Sequence, residues 1–420
     1  MLLANLFARA APRQVPRRHL PTARADFGSR LTELGADTGT HVQEDPEHQI
    51  RNLQKRFRRL KQIADKLEWP RPTSFEALGA THPLPFRWQP PPARAPDALQ
   101  VTYLAGFFDG DGCVTSNGQS GTQMRVSQSV HNAGILLQFI EAFGGSILLQ
   151  SKGQGFNQPV LLWCASGESA RNAAKAMHPC SAVKTAELAL ALVWPSCPKE
   201  RHQSVMELAA LKQMPNGVSS QFVMSWAYLA GFFDAEGCIR LRAGAVSLAI
   251  EISQKHASIL HVAATFLQDA VGCKVSWSLN VATGVHVISV TERYYVTEIL
   301  RQMLEAGLFV KEASANVALA LTASTHQELR QAMASSGKGS QALFSRLSPD
   351  GCQRAKNIVV VSQRVLRARK SSNNQENLGR LELQLAHLKQ NHQLHNAQER
   401  LTRLRQEMRG SLEKGARLQR

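Results

Sequence analysis

Apolar residues recur at helical spacing in two stretches at opposite ends of the chain. Between Asp45 and Trp69, residues Ile50, Leu53, Phe57, Leu60, Ile63 and Leu67 fall on one face, with Arg51, Lys55, Arg58, Arg59 and Lys66 opposite. This pattern predicts a basic amphipathic helix over 45–69. Pro70 ends it, and Pro83, Pro85, Pro90, Pro91, Pro92 and Pro96 punctuate the next thirty or so residues, which predicts an extended linker over 70–100. Near the other end, Leu378, Leu381, Leu385 and Leu388, then Ala397, Leu401, Leu404, Met408 and Leu412, alternate in steps of three and four. A basic helical region of coiled-coil type is expected over 352–420. Its seam weakens at His392 and His395, and Gly379 and Gly410 lower helix propensity. Self-association through these helices and a hairpin within one chain are both compatible with that pattern.

The middle of the chain repeats itself. Tyr103 to Val114 reads YLAGFFDGDGCV and Tyr228 to Ile239 reads YLAGFFDAEGCI, nine of twelve positions being identical at an offset of 125. Each copy continues into a strand-like stretch ending in a Ser-Gln pair, Ser127-Gln128 and Ser253-Gln254. A helix-like stretch comes next, through Ile135, Leu136, Phe139 and Ile140 or through Ile259, Leu260, Phe266 and Leu267, and glycines close it. Later in each copy a lysine precedes an alanine-rich helix, Lys184 and Lys311, at 73 and 75 residues beyond Asp111 and Glu236. Two copies of one α/β unit account for this. The first is expected over 101–196, an inter-repeat linker over 197–225 and the second copy over 226–325.

Within the motif, Leu104, Phe107 and Phe108 supply packing, whereas Ala105 and Gly106, and Ala230 and Gly231 in the second copy, leave one helical stripe almost bare. Two such helices are able to pack backbone to backbone, with these residues as the repeat interface. The carboxylates at their ends, Asp111 and Glu236, then meet near a pseudo-two-fold axis. Like charges that close are unfavourable without a cation between them. Oxygen ligands alone favour Mg²⁺, which keeps waters and binds substrate phosphate. Gly112 and Gly237 are expected to let the chain turn from helix into strand.

These motifs resemble those of the LAGLIDADG homing endonucleases, in their single-chain form with two tandem repeats, over roughly 225 residues. The resemblance implies an α/β fold of α+β type: two αββαββα repeats with pseudo-two-fold symmetry and antiparallel, saddle-shaped sheets, here flanked by helical extensions. It implies a monomeric core and a site-specific, metal-dependent endonuclease acting on duplex DNA. Asp111 and Glu236 match the metal-binding acids, and Asp109 and Asp234 match a first acid that bonds to backbone near the helix interface. Gln128 and Gln254 match a polar residue that organises water around the metals. Lys184 and Lys311 match a basic residue near the scissile phosphate. The pattern departs at Asn132 and Ser258, where an arginine is often found.

Charge changes this picture. The formal net charge is +17, yet Lys and Arg balance Asp and Glu at 16 against 16 over residues 101–330; the excess lies in the flanks, 16 against 10 over 1–100 and 15 against 5 over 352–420. The strand pairs after each motif are short, and between them they offer Arg125, Arg240 and Arg242 for base contacts. Affinity carried by phosphate neutralisation would then come from the basic flanks. A maturase-like factor that binds structured RNA without hydrolysis, and a scaffold whose terminal helices recruit partners, are the alternative readings. The seven cysteines lack C-x-x-C spacing, which supports neither a zinc ribbon nor a thioredoxin-like motif. No apolar run reaches bilayer length. Residues 1–25 carry Arg9, Arg13, Arg17, Arg18 and Arg24 and no acid, the composition of a transit peptide for a mitochondrion or chloroplast.

Overall fold

The structure, a computed structural model, describes residues 45–87, 96–116, 121–213, 217–219, 221–241, 248–322, 324–326, 328–329, 332–333, 347–370 and 375–418. The proposed transit segment and Arg242 lie outside these residues. Helix α1 (Pro46–Ala64) starts on Asp45, whose carboxylate accepts from the Glu47 amide, with Pro46 in the first turn where its missing N–H is harmless. Strand β1 (Leu67–Glu68) comes next, then β2 (Ser74–Ala77), β3 (Ala80–Pro83) and β4 (Phe86–Arg87). The extended linker expected over 70–100 is therefore corrected, because β2 and β3 form an antiparallel hairpin. Its two-residue turn, Leu78 and Gly79, has positive φ at both positions, 51° and 77°, the twist that hairpins favour. Phe75 is buried and stacks on His82 at 5.1 Å, with Phe86 edge-on at 6.4 Å.

Two αββαββα units form the centre of the chain. The first is α2 (Ala98–Asp111), β5 (Gly112–Ser116), β6 (Thr122–Ser129), α3 (Ala133–Phe143), β7 (Ser146–Ser151), β8 (Val160–Ser166) and α4 (Glu168–Met177). Helices α5 (Thr185–Leu192) and α6 (Pro198–Leu211) trail it, so the stretch expected as an inter-repeat linker contains a helix that buries Leu208. The second unit is α7 (Trp226–Glu236), β9 (Gly237–Leu241), β10 (Leu248–Gln254), α8 (Ala257–Val271), β11 (Ser276–Asn280), β12 (Val285–Val290) and α9 (Arg293–Glu305), trailed by α10 (Glu312–Leu319).

The fold is α+β. Its two main sheets run β4-β7-β8-β6-β5 and β11-β12-β10-β9, antiparallel throughout. Alternation along the strands decides what each face carries. In the first sheet Val114, Met124, Val126, Leu161, Trp163 and Ala165 point inward and are buried. Trp163 meets Phe139 at 4.9 Å, and Phe107 meets Phe139 at 6.1 Å; each such side chain contributes about 1.5–3 kcal/mol on burial.

Beyond the second repeat, α11 (Pro349–Lys370) and α12 (Gln375–Glu413) lead to β13 (Arg417–Leu418). The seam read as a coiled coil is covered within the chain. Leu404 and Ala64 of α1 are both fully buried, with Phe57, Leu60 and Met408 against them, and β1 pairs with β13. The weak stretch at His392 is polar because it is paired: Asn396 bonds His392 at 2.9 Å, and Arg354 of α11 reaches Asn396 at 3.3 Å and Glu399 at 2.7 Å. Among the described residues no helix is long and apolar enough to cross a membrane.

Candidate active site

The site lies where α2 and α7 cross. Asp97 and Ser225 start these helices by accepting from the amides of Gln100 and Tyr228. Both helices are apolar nearly all round and buried nearly all round. A Cβ on Gly106 would lie 2.2 Å from the Tyr228 carbonyl oxygen, and one on Gly231 would lie 1.9 Å from that of Tyr103. Ala105 and Ala230 are also buried. The bare stripe is thus the repeat interface, and the contacts are reciprocal, as pseudo-two-fold symmetry requires.

The glycines that end these helices do something other than expected. Gly112 and Gly237 have φ of −81° and −83°, open to any residue. Space is what they provide: a Cβ would fall 2.3 Å from a Phe108 ring carbon and 2.2 Å from the matching atom of Phe233.

Asp109 and Asp234 are structural. Asp109 is buried and accepts from the Ser181 hydroxyl at 2.7 Å, the amides of Ala182, Val183 and Lys184 at 2.6, 2.9 and 3.1 Å, and the Tyr228 hydroxyl of the other repeat at 2.7 Å. Asp234 repeats this with the amides of Phe309, Val310 and Lys311 at 2.8, 2.9 and 2.8 Å and the Tyr103 hydroxyl at 2.7 Å. Each acid therefore holds the turn that carries its repeat's lysine and latches onto the opposite repeat. The two tyrosines, which sequence reasoning did not single out, stand at equivalent positions of the motif; that symmetry was the available signal. Their phenols are driven above the ordinary range, first by burial and then by the facing aspartate. A hydrogen bond to a buried charged acceptor is worth about 1.5–3 kcal/mol. We expect Tyr228→Phe and Tyr103→Phe each to lower stability by about 2 kcal/mol in denaturant titrations. A loss below about 0.5 kcal/mol would mean that the aspartates are satisfied without them.

The carboxylates Asp111 and Glu236 end the helices, each half-buried. A Cβ on Gly110 would sit 3.1 Å from Glu236 Cγ and 2.3 Å from the Ala235 Cβ, which shows how closely the helix ends approach. Gln128 donates to Asp111 at 2.6 Å, and Gln254 to Glu236 at 3.1 Å. Here the glutamines aim carboxylates, and their amide oxygens accept from Asn132 at 3.4 Å and from the Lys255 amide at 2.8 Å. Asn132 thus supports Gln128.

Burial raises the Asp111 pKa, with the Lys311 charge opposing. Burial also raises that of Glu236, and the Asp111 charge adds to it. Lys184 is buried and donates to the Phe108 carbonyl at 2.9 Å and to that of Asp109; Lys311 donates to the Asp234 carbonyl, and burial lowers its pKa. The ammonium groups therefore sit at the negative ends of the helix dipoles.

Two crowded, partly desolvated carboxylates within an oxygen-only donor set fit a hard divalent cation. Among the described residues no group of three or more His, Cys, Asp or Glu side chains converges, so water and substrate oxygens would complete the shell. The raised carboxyl pKa values mean that the folded chain holds protons more tightly than the unfolded one. Stability is therefore lost as pH rises from the unfolded values, about 4, through the raised folded values, and it stays lost above them. In metal-free buffer at pH 7.5, well above the unfolded values, the Asp111→Asn, Glu236→Gln double variant should melt above the unmodified chain. Mg²⁺ should raise the melting temperature of the unmodified chain alone, and equal responses would contradict the shared site.

The strands place the proposed base-reading residues less favourably. Arg125 faces outward on β6 and bonds to Gln123, while Arg240 on β9 is paired with Glu251 at 2.6 Å.

No family profile and no curated protein matches the chain. Among solved structures, it is similar to the LAGLIDADG homing endonuclease I-GzeII in complex with its DNA target, at 12% identity over 56% of this chain and 96% of that one, with a TM-score of 0.43. It is also similar to the meganuclease I-SmaMI bound to uncleaveable DNA, at 16% identity over 58% and 100% with a TM-score of 0.42. A third is the LAGLIDADG meganuclease I-AabMI bound to uncleaved DNA, at 15% identity over 57% and 99% with a TM-score of 0.43.

Proposed function

We propose that this chain is a nuclease of the LAGLIDADG homing-endonuclease type, hydrolysing phosphodiester bonds in duplex DNA at a defined site with Mg²⁺ held by Asp111 and Glu236. The observation that carries this reading is the crossing of α2 and α7, which brings one carboxylate from each repeat together and, among the described residues, gives each a glutamine amide as its side-chain hydrogen-bond partner. When bound, the metal would lower the pKa of attacking water and offset charge on the phosphate.

The chain's own groups supply orientation and charge. Gln128 and Gln254 fix the carboxylates, so that little reorganisation is needed when substrate arrives. Lys184 and Lys311 place positive charge one helix end away from the reacting phosphate's expected position, where low dielectric strengthens it. Asp109 and Asp234 hold the turns that position both lysines. The basic, acid-free composition of residues 1–25 supports a mitochondrion or chloroplast as the setting. The test is Mg²⁺-dependent scission of duplex DNA that stops on chelation.

The sparse charge on the strand faces favours a second reading, a nuclease-inactive, maturase-like factor that binds structured RNA in splicing or processing. Metal-independent retention of RNA without scission of duplex DNA would select it.

A further inference from the structure

The outward faces of the two main sheets carry few cations. Among the described residues, strand alternation leaves Arg87 and Arg125 as the cations on the outward face of the first sheet and Arg240 on that of the second, with Gln123, Ser127, Glu251 and Ser253 beside them. Arg125 is bonded to Gln123, and Glu251 neutralises Arg240. Since phosphate neutralisation dominates nucleic-acid affinity, these faces supply little of it.

Helix α1 is different. It carries six cations against one acid. The acids near it are occupied at its ends, where Asp45 and Glu47 take Arg51 and Asp65 takes Lys61. Lys55, Arg56, Arg58 and Arg59 are exposed, and among the described residues no carboxylate forms an ion pair with them. The apolar side of α1 is fixed on α12 through Ala64 and Leu404, so the basic side is held outward. The helix is anchored to the first repeat: Trp69 donates to the Gly155 carbonyl at 2.8 Å, the Gly155 amide donates to Leu67 at 2.7 Å, and Lys152 pairs with Glu68 at 3.2 Å. This anchor is the turn between β7 and β8, across the sheet from β5, the strand that leaves the motif helix. Three strand spacings, about 14 Å, separate β5 from β7.

We propose that the outward face of α1 is a second nucleic-acid contact surface that grips the phosphate backbone of duplex DNA beside the saddle. Single-stranded nucleic acid is held by aromatic platforms on which bases stack. Phe57, the only aromatic residue of α1, is turned in beneath Arg400 at 5.0 Å, and α11 and α12 contain no Phe, Tyr or Trp. A rigid row of cations without a stacking surface fits the regular backbone of a duplex. The choice of DNA as the duplex rests on the nuclease reading.

The test is binding of the full chain to a 40-base-pair duplex of roughly average composition, without divalent metal and across a salt series. The duplex is DNA, with an RNA duplex of the same sequence run alongside, and the unmodified chain is compared with Lys55→Glu, Arg59→Glu and with Lys175→Glu, Lys199→Glu. The second pair makes the same charge change on α4 and α6, away from α1, and circular dichroism checks that both variants fold. The α1 variant should bind about tenfold or more weakly, and the slope of log affinity against log salt should fall by about two, as for two lost phosphate contacts. The control pair should leave the slope unchanged. An unchanged slope in the α1 variant, an equal fall in the control, or a loss confined to RNA would overturn the proposal. Because no cleavage is measured, a chain that binds and never cuts would sink the nuclease reading and leave this one standing.

Discussion

Gly231→Ala is expected to be among the most damaging single substitutions in the core, lowering stability by about 3 kcal/mol or more. The added Cβ would meet the Tyr103 carbonyl oxygen at 1.9 Å, where ordinary contact begins at 3.4 Å. The obstacle is backbone on both sides, so α2 and α7 must part by roughly 1.5 Å, and no rotamer change relieves the clash. Parting them also loosens the Tyr103 to Asp234 and Tyr228 to Asp109 bonds, which bridge the same two helices. For a core of this size the expected fall in melting temperature is about 6–12 °C. Gly106→Ala should behave alike. Gly379→Ala is the contrast: it lies in α12 with nothing within 4 Å of its Cβ position, and it should stabilise by about 0.5–1 kcal/mol through helix propensity. Thermal melts of the three variants check the ordering.

The second large effect is on chemistry. If the proposed site is right, Asp111→Asn or Glu236→Gln should each lower the single-turnover cleavage rate by about a thousandfold or more, because each would then lose a metal ligand worth several kcal/mol in the transition state. Neither change should destabilise the fold, since burial and proximity already oppose the charged forms. Gln128→Leu removes the bond that aims Asp111 together with the longer one from Asn132, and a loss of about 10–100-fold is expected. A rate in Asp111→Asn within tenfold of the unmodified chain's would exclude that carboxylate from the chemistry.

The motif helices were legible in the sequence because two copies carry the same constraint. A stripe of Ala105 and Gly106 recurring as Ala230 and Gly231 has a physical cause only if backbones meet there. The structural role of Asp109 and Asp234 belongs to the same symmetry. What escaped was encoded by contacts distant in the chain. The β2–β3 hairpin hides in proline-rich surroundings, and its turn at Leu78-Gly79 lacks the usual Asn-Gly or Asp-Gly signal. Helix α6 buries too few apolar residues to show a period. The α12 seam at Ala397, Leu401, Leu404 and Met408 was visible, but its partner was not: α1 lies more than three hundred residues earlier, and amphipathic patterns do not name what covers them. The tyrosine latches required knowing which groups face each other across the interface.

Hydrolysis by Asp111 and Glu236 is tested most directly by incubating a randomised duplex-DNA library and Mg²⁺ with the chain from residue 26 onward, beside the Asp111→Asn, Glu236→Gln double variant. Cuts at one recurrent sequence from the unmodified protein alone, lost on chelation, are the predicted result. Retention of duplex by both proteins with cuts from neither would contradict it, and so would cuts of equal yield from both.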